Sequence, residues 1–254
     1  MSDEFIAQRL AQGELNQYGQ LHGVALPEWR ACPAPQPVVL QGKYCRLEPL
    51  SAVEHAAGLH AAMQADGADA NWTYLGYGPF ASLADYTAWL TGMEGLSDPQ
   101  FYTIVDIANG QPVGLASYLR IDAANGVIEV GHLNYSPLLQ QKPAATEAMY
   151  LMMRHAFELG YRRYEWKCNA LNLPSRRAAE RLGFLFEGLF RQSMVIKGRN
   201  RDTAWYSILD SEWPAVRQVL EQWLNAENFD ATGRQRQALS RLMSAWRNRG
   251  VTDN

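Results

Sequence analysis

Two asparagine–glycine pairs constrain this chain more than any other feature. Asn109-Gly110 and Asn125-Gly126 divide residues 100–135 into three strand-like runs, 100–107, 112–121 and 127–135. Asn-Gly tolerates the left-handed backbone that tight reversals need, so the three runs are expected to pair as an antiparallel meander. The stretch that follows breaks the pattern. Pro137 and Pro143 bracket a loop, Thr146 to Leu159 reads as a helix closed by Gly160, and 162–169 reads as another strand. A strand–helix–strand succession favours a parallel pair. The last strand of the meander should therefore have an antiparallel neighbour on one side and a parallel one on the other.

The remaining segments supply the flanks. Tyr44 to Glu48 alternates as a strand, while Ser51 with Glu54 and Ser82 with Asp85 have helix-cap spacing and open helices to about Asp66 and Gly95. Pro174 sits where a helix begins and Gly183 where it stops. Strands over about 184–197 and 202–209 and helices over 211–224 and 233–246 complete the pattern. Ahead of Lys43, residues 2–12 look helical with Ser2 as a cap, and Pro27, Pro33, Pro35 and Pro37 mark an extended arm. The expected fold is α/β in the α+β sense: a mixed, largely antiparallel sheet with one parallel pair, flanked by helices. It divides into an arm (1–42), a main domain (43–210) and C-terminal helices (211–254), which either cap the domain or pair two copies as a homodimer.

Composition narrows the function. At 47% apolar and 19% charged residues the chain can form a sizeable core, and a net charge of −3 argues against nucleic-acid or membrane partners. Cys32, Cys45 and Cys168 lack metal-ligand spacing and read as reduced thiols, and no metal site is expected. Asp3 and Glu4 occupy what would be the start of a signal peptide, and the most apolar stretch, 144–159, is interrupted by Glu147, Arg154 and Glu158. A cytoplasmic chain is the expectation.

Three pieces carry chemistry. The first is the strand VIEVGHLNY (127–135), where His132 would titrate near neutrality if unperturbed. The second, LQQKPAATEA (139–148), presents backbone N–H groups at a helix start, where the helix dipole favours a phosphate. Ala144 and Ala145 let such a group approach the main chain, and Lys142 adds charge. The third, CNALNLPSRRAAERLGF (168–184), brings Asn169, Asn172 and Ser175 to a sheet edge, although Asn172 and Ser175 equally suit a helix cap. Trp72, Tyr74 and Tyr77 suit either a substrate wall or core packing. Lys197, Arg199 and Arg201 suit a phosphate grip or a solvated turn. A nucleophilic role for Cys168 has only its presence behind it.

The order and spacing of Ile128-Glu129-Val130-Gly131, Ala145-Thr146-Glu147-Ala148, Asn172-x-x-Ser175, Ala179-Glu180-Arg181-Leu182-Gly183-Phe184 and Glu187-Gly188 resemble the GNAT acetyltransferase superfamily. The resemblance runs over roughly 43–210 and is nearest to the branch of ribosomal-protein N-terminal acetyltransferases. One departure stands out. The family's phosphate loop, Arg/Gln-x-x-Gly-x-Gly/Ala, here reads Gln140-Gln141-Lys142-Pro143-Ala144-Ala145. Pro143 replaces the first glycine and has no N–H to give.

The resemblance implies an enzyme that moves an acetyl group from acetyl-CoA to an amine on a peptide or small molecule, without a metal. Strands 127–135 and 162–169 would splay to admit the cofactor. Leu133, Asn134 and Tyr135 would lie along it, with N–H groups near Leu133 and Asn134 polarising the thioester. Gln140, Gln141, Lys142, Ala144, Ala145 and Thr146 would cradle its phosphates, and Asn169 and Asn172 would flank it. The resemblance further implies Glu129, then His132, as the base, and Ser175 as the acid for the leaving thiolate. Trp72, Tyr74 and Tyr77 would face the amine. A GNAT-like module that binds CoA or a peptide without catalysis is the alternative, and Pro143 is the residue that favours it.

Overall fold

A computed structural model describes residues 11–64 and 68–249. Its main sheet contains β3 (Leu40–Gln41), β4 (Cys45–Pro49), β5 (Gln100–Asp106), β6 (Pro112–Asp122), β7 (Val127–Tyr135), β8 (Arg163–Asn169), β9 (Leu185–Ile196) and β10 (Arg199–Leu209). The strand order is β3-β4-β5-β6-β7-β8-β10-β9, and only β7 and β8 run parallel. The meander forms as the Asn-Gly pairs predict: Gly110 and Gly126 take φ of +70° and +64°, which a residue with a Cβ adopts only under strain.

Helices cover the sheet on both sides. Strand β6 divides them, because successive residues point to opposite faces. Leu115 belongs to the core cluster formed with α1 (Ala52–Ala62) and α2 (Leu83–Met93). Tyr118, three residues on, turns the other way, and its hydroxyl donates to the Met152 carbonyl of α3 (Pro143–Glu158) at 2.7 Å. Ser51 and Ser82 cap α1 and α2 through Glu54 N–H and Asp85 N–H, as their spacing predicts. Helix α3 is also pinned at its start. The buried Glu147 carboxylate accepts from the N–H groups of Lys43, Tyr44 and Cys45 at 2.6–2.8 Å, tying α3 to the turn before β4.

Helix α4 (Leu173–Arg181) ends at Gly183, whose φ is +104° and where a Cβ would lie 2.9 Å from Val216 Cγ1. That valine sits on α5 (Trp213–Leu224), followed by α6 (Leu239–Arg249), so glycine lets the C-terminal helices seat closely. Arg247 Nη2 donates to the Phe184 carbonyl, and the Trp213 ring stacks on Phe157 at 4.9 Å.

Several boundaries move from the sequence expectation. Helix α3 begins at Pro143 and not Thr146, because proline suits the first helical position, where no N–H is needed. Helix α1 stops at Ala62, short of Asp66, and β10 begins earlier, at Arg199. The last helix starts at Leu239 and not 233, since Asp230 and Asn228 fold the preceding residues into a turn. Residues 2–10 of the expected N-terminal helix lie outside the described residues. Residues 11–31 belong to a small unit of their own with a hairpin of β1 (Glu14–Leu15) and β2 (Leu21–His22), whereas Pro33, Pro35 and Gln36 accept hydrogen bonds from Tyr161, Gln100 and Tyr102 of the main body. No helix among the described residues is long and apolar enough to cross a membrane.

Candidate active site

The parallel pair opens midway. Val127–Val130 are in register with Arg163–Trp166, and the pairing then stops. The cause is a bulge in β7. Ser117 pairs with Gly131 and Leu115 with Asn134, so two β7 residues, His132 and Leu133, oppose one residue of β6. His132 takes φ +52° to accommodate it, and Gly131 precedes it where a Cβ would stand 2.9 Å from Leu119 Cδ2.

A cleft of about 1140 Å³ occupies this opening. That exceeds the roughly 300–1,000 Å³ of an ordinary small-ligand pocket and suits an elongated molecule. Leu133, Tyr135 and Trp166 line the strand side, and Gln140, Gln141, Lys142, Ala145 and Thr146 line the start of α3. Lys142 is the N-cap residue but makes no side-chain cap bond, and Pro143 has no N–H. The helix start therefore keeps its positive end toward the cleft with few internal acceptors. Gln140 is spent on structure: its Nε2 donates to Asn71 Oδ1 at 3.0 Å and to the Tyr135 carbonyl at 2.8 Å.

The cations that sequence reasoning missed come from α4. Arg181 and Arg177 line the same cleft, and Arg181 Nη1 donates to Thr146 Oγ1 at 3.2 Å. Burial pushes the Arg181 guanidinium below its ordinary value, and it forms no ion pair among the described residues. With Lys142 and Arg234, four cations and no carboxylate line the cleft among the described residues, in a chain whose net charge is −3.

Ser175 and Asn172 also reach the cleft. Asn172 Oδ1 accepts from Ser175 N–H at 3.1 Å, so it is the cap of α4. Ser175 Oγ accepts from Trp166 Nε1 at 3.0 Å, which fixes the hydroxyl at the rim of the split strands. Asn169 turns back on its own loop, accepting from Leu171 N–H, and is not part of the cleft wall. Cys168 is buried, and burial raises its thiol above the ordinary value, which does not suit a nucleophile.

Glu129 and His132 lie outside that wall. Glu129 is 3% exposed and holds Arg120 Nη1 on Oε1 at 2.7 Å and Lys167 Nζ on Oε2 at 2.9 Å. Lys167 also meets Glu165 Oε2 at 2.7 Å and lies 3.7 Å from the centre of the Trp205 ring. Burial nonetheless raises the Glu129 carboxyl above its ordinary range, outweighing both cations. His132 shares a hydrogen bond between Nδ1 and Tyr77 Oη at 3.1 Å, and burial, with Arg120 nearby, pushes it down to about 4. It is therefore neutral at neutral pH.

The aromatic candidates divide. Trp72 is buried against Tyr77, Phe80 and Tyr86, and Tyr77 stacks on Trp89, so both belong to the core and not to the cleft wall. Tyr74 does line the cleft, and its hydroxyl reaches the Leu171 carbonyl at 3.2 Å. Lys197 grips no phosphate site; its Nζ donates to the Trp72 and Gly78 carbonyls at 2.8 and 2.7 Å. Ala144 and Asn134 are buried and do not line the cleft.

Comparison with known proteins bears on this geometry. A family model described as an acetyltransferase (GNAT) domain matches residues 45–185. A GCN5-related N-acetyltransferase structure from Brucella melitensis is 49% identical, covers 86% of this chain and all of that one, and superposes with a TM-score of 0.85. A structure from Chromobacterium violaceum ATCC 12472, provisionally described as a GNAT-family acetyltransferase, is 41% identical over 76% of this chain and 97% of its own, with a TM-score of 0.71. YdaF of Bacillus subtilis (strain 168), provisionally named a ribosomal N-acetyltransferase, is 31% identical over 106 residues, 41% of this chain and 57% of YdaF. The match thus spans little more than half of that curated relative.

Proposed function

The chain belongs to the GNAT acetyltransferase family, and from that premise we propose that it transfers an acetyl group from acetyl-CoA to a primary amine within a ternary complex. One observation carries the reading: a cleft of about 1140 Å³ lined, among the described residues, by four cations and no carboxylate, set at a helix N-terminus beside the parted strands β7 and β8. Such a site favours an elongated polyanion, and acyl-CoA is one. Its diphosphate would sit at the start of α3 near Ala145 and Thr146, and its pantetheine arm between Leu133, Tyr135 and Trp166.

The unprotonated amine attacks the thioester carbonyl, and main-chain N–H groups near Leu133 and Asn134 stabilise the oxyanion. A donor of this kind contributes about 3 kcal/mol. The carbon–sulfur bond then breaks, and the thiolate takes its proton from Ser175 Oγ. Ser175 suits that role because Trp166 Nε1 occupies an acceptor site of the hydroxyl and draws density from its O–H. The amine gives up one proton, which restores Ser175 through solvent. Glu129 and His132 remain the candidates for receiving that proton by way of water. Both are hindered in that role: burial makes the neutral His132 a weak base, and each oxygen of Glu129 already bears a cation, so solvent in the cleft is the first acceptor. The acceptor class is an amine on a peptide terminus or a small molecule.

Thiol release from acetyl-CoA in the presence of peptide, polyamine and aminoglycoside amines tests the reading. Release with at least one amine class and none without amine is expected. CoA binding without release across all classes would instead support a non-catalytic CoA- or peptide-binding module, the reading favoured by the missing donor at Pro143.

A further inference from the structure

The cleft has a wall that the family match does not account for. Residues 45–185 supply its strands, α3 and α4, yet Trp223, Phe229, Arg234 and Gln235 close its outer end. These four come from the end of α5 and from the loop that joins α5 to α6. In the sequence this segment is unremarkable: it lies beyond the motifs and contains no recognisable ligand pattern.

The loop is firmly built. Asn228 Nδ2 donates to the Trp223 and Gln237 carbonyls at 3.0 and 3.2 Å, and its Oδ1 accepts from Gln237 N–H at 2.9 Å. Asp230 Oδ1 accepts from the N–H groups of Thr232 and Arg234 at 2.9 and 3.0 Å. Trp223 Nε1 donates to Gln235 Oε1 at 2.9 Å, and the Phe229 ring meets the edges of Trp223 and Tyr44. The loop thereby presents to the cleft one half-buried aromatic ring, held from behind by Trp223 and Tyr44, and one arginine that forms no ion pair among the described residues. Lys142, Arg177 and Arg181 line other parts of the same cavity, and Arg177 and Arg234 form no ion pair among the described residues.

We propose that the loop 225–238 is a nucleotide clamp, in which Arg234 reads a phosphate of the adenosine portion of the acyl-CoA donor and Phe229 shields its base. This deepens the acetyl-CoA reading and rests on it. The chemistry follows from the arrangement. A phosphate outside the helix dipole of α3 needs charge from elsewhere, and a planar guanidinium meets phosphate oxygens with paired N–H groups. An adjacent ring offers the flat apolar surface that a purine requires. The clamp thus makes the donor's nucleotide end a determinant of specificity against shorter pantetheine carriers.

Calorimetric titration of CoA, dephospho-CoA and 4′-phosphopantetheine into the full chain and into Arg234→Gln tests it. The substitution is expected to weaken CoA about tenfold, the lower end for a hydrogen bond to a charged group. It should change 4′-phosphopantetheine less than twofold, and Arg234→Lys should recover part of the loss. If dephospho-CoA loses affinity as CoA does, the phosphate read is in the diphosphate; if it is indifferent, it is the 3′-phosphate. Equal losses for CoA and 4′-phosphopantetheine, or no loss for either, would overturn the clamp. A native chain that binds no CoA at all would instead sink the cofactor reading itself, which keeps the two failures distinct.

Discussion

Replacing Ser175 with alanine separates structure from chemistry at the centre of the site. The Trp166 indole N–H is buried and donates to Ser175 Oγ at 3.0 Å, so Ser175→Ala leaves that donor unpaired. An orphaned neutral donor costs about 1–3 kcal/mol, and a domain of this size loses roughly 2–4 °C of melting temperature per kcal/mol. A fall of about 2–12 °C is therefore expected from structure alone. The catalytic loss is a second quantity. General acids contribute about 10²- to 10⁴-fold, and a thiolate is a good leaving group, so the lower end applies: about 100-fold in kcat, or roughly 2.7 kcal/mol. KM for acetyl-CoA should move less than threefold, because the hydroxyl acts on the sulfur only as the bond breaks. Ser175→Thr keeps the O–H and should restore most of kcat. Thiol release at saturating acetyl-CoA, alongside a thermal melt, reads both. A variant that melts lower yet keeps kcat within twofold of native would show that Ser175 only holds Trp166, and the assignment of the acid would be wrong.

The other predictions concern groups around that centre. Glu129→Gln removes the shared partner of Arg120 and Lys167; Lys167 keeps Glu165, so urea denaturation should show a loss of about 2–3 kcal/mol, and a loss below 0.5 would mean the pair is idle. His132 titrates near 6.5 when unfolded and about 4 when folded, so between those values the unfolded chain binds more protons. Stability should accordingly fall as pH drops from 6.5 toward 4, by up to about 3 kcal/mol, and His132→Gln should flatten that part of the curve. Pro143→Gly restores a main-chain donor at the first position of α3 and should tighten CoA binding up to about tenfold while costing some stability; unchanged affinity would mean the ligand does not reach that position.

The frame of the fold was legible because local chemistry dictated it. Asn109-Gly110 and Asn125-Gly126 required left-handed turns, Ser51 and Ser82 announced helix starts, and a helix between two strands, expected from Thr146 and found from Pro143, favoured a parallel return. The part of the site formed by contiguous residues was legible too: Leu133, Tyr135, Lys142, Ala145, Thr146, Asn172 and Ser175 converge on one cleft. What the sequence could not show was long-range. Glu129 looked available because nothing in a single strand reveals that Arg120 and Lys167, on two neighbouring strands, claim both of its oxygens. Trp72 and Tyr77 suit either a wall or core packing, because an aromatic run reads the same whether it faces a ligand or a core. Arg181 stood in the sequence only as part of the family pattern, and nothing in that pattern reveals that its guanidinium reaches Thr146 at the start of α3 and lines the cleft. One signal was present and unused: Arg176, Arg177 and Arg181 crowd a nine-residue helix that immediately follows the candidate ligand-binding strand.

The central claim is that the start of α3 receives a phosphate, and a carboxylate placed there tests it most directly. Ala145 lines the cleft in the first turn of the helix. A negative side chain at that end of a helix favours the helix dipole, so Ala145→Asp should leave the melting temperature within a few degrees while repelling an anion. Calorimetry is expected to give one CoA site per native chain and no measurable heat for the folded variant. Equal affinity of CoA for both proteins would contradict the account.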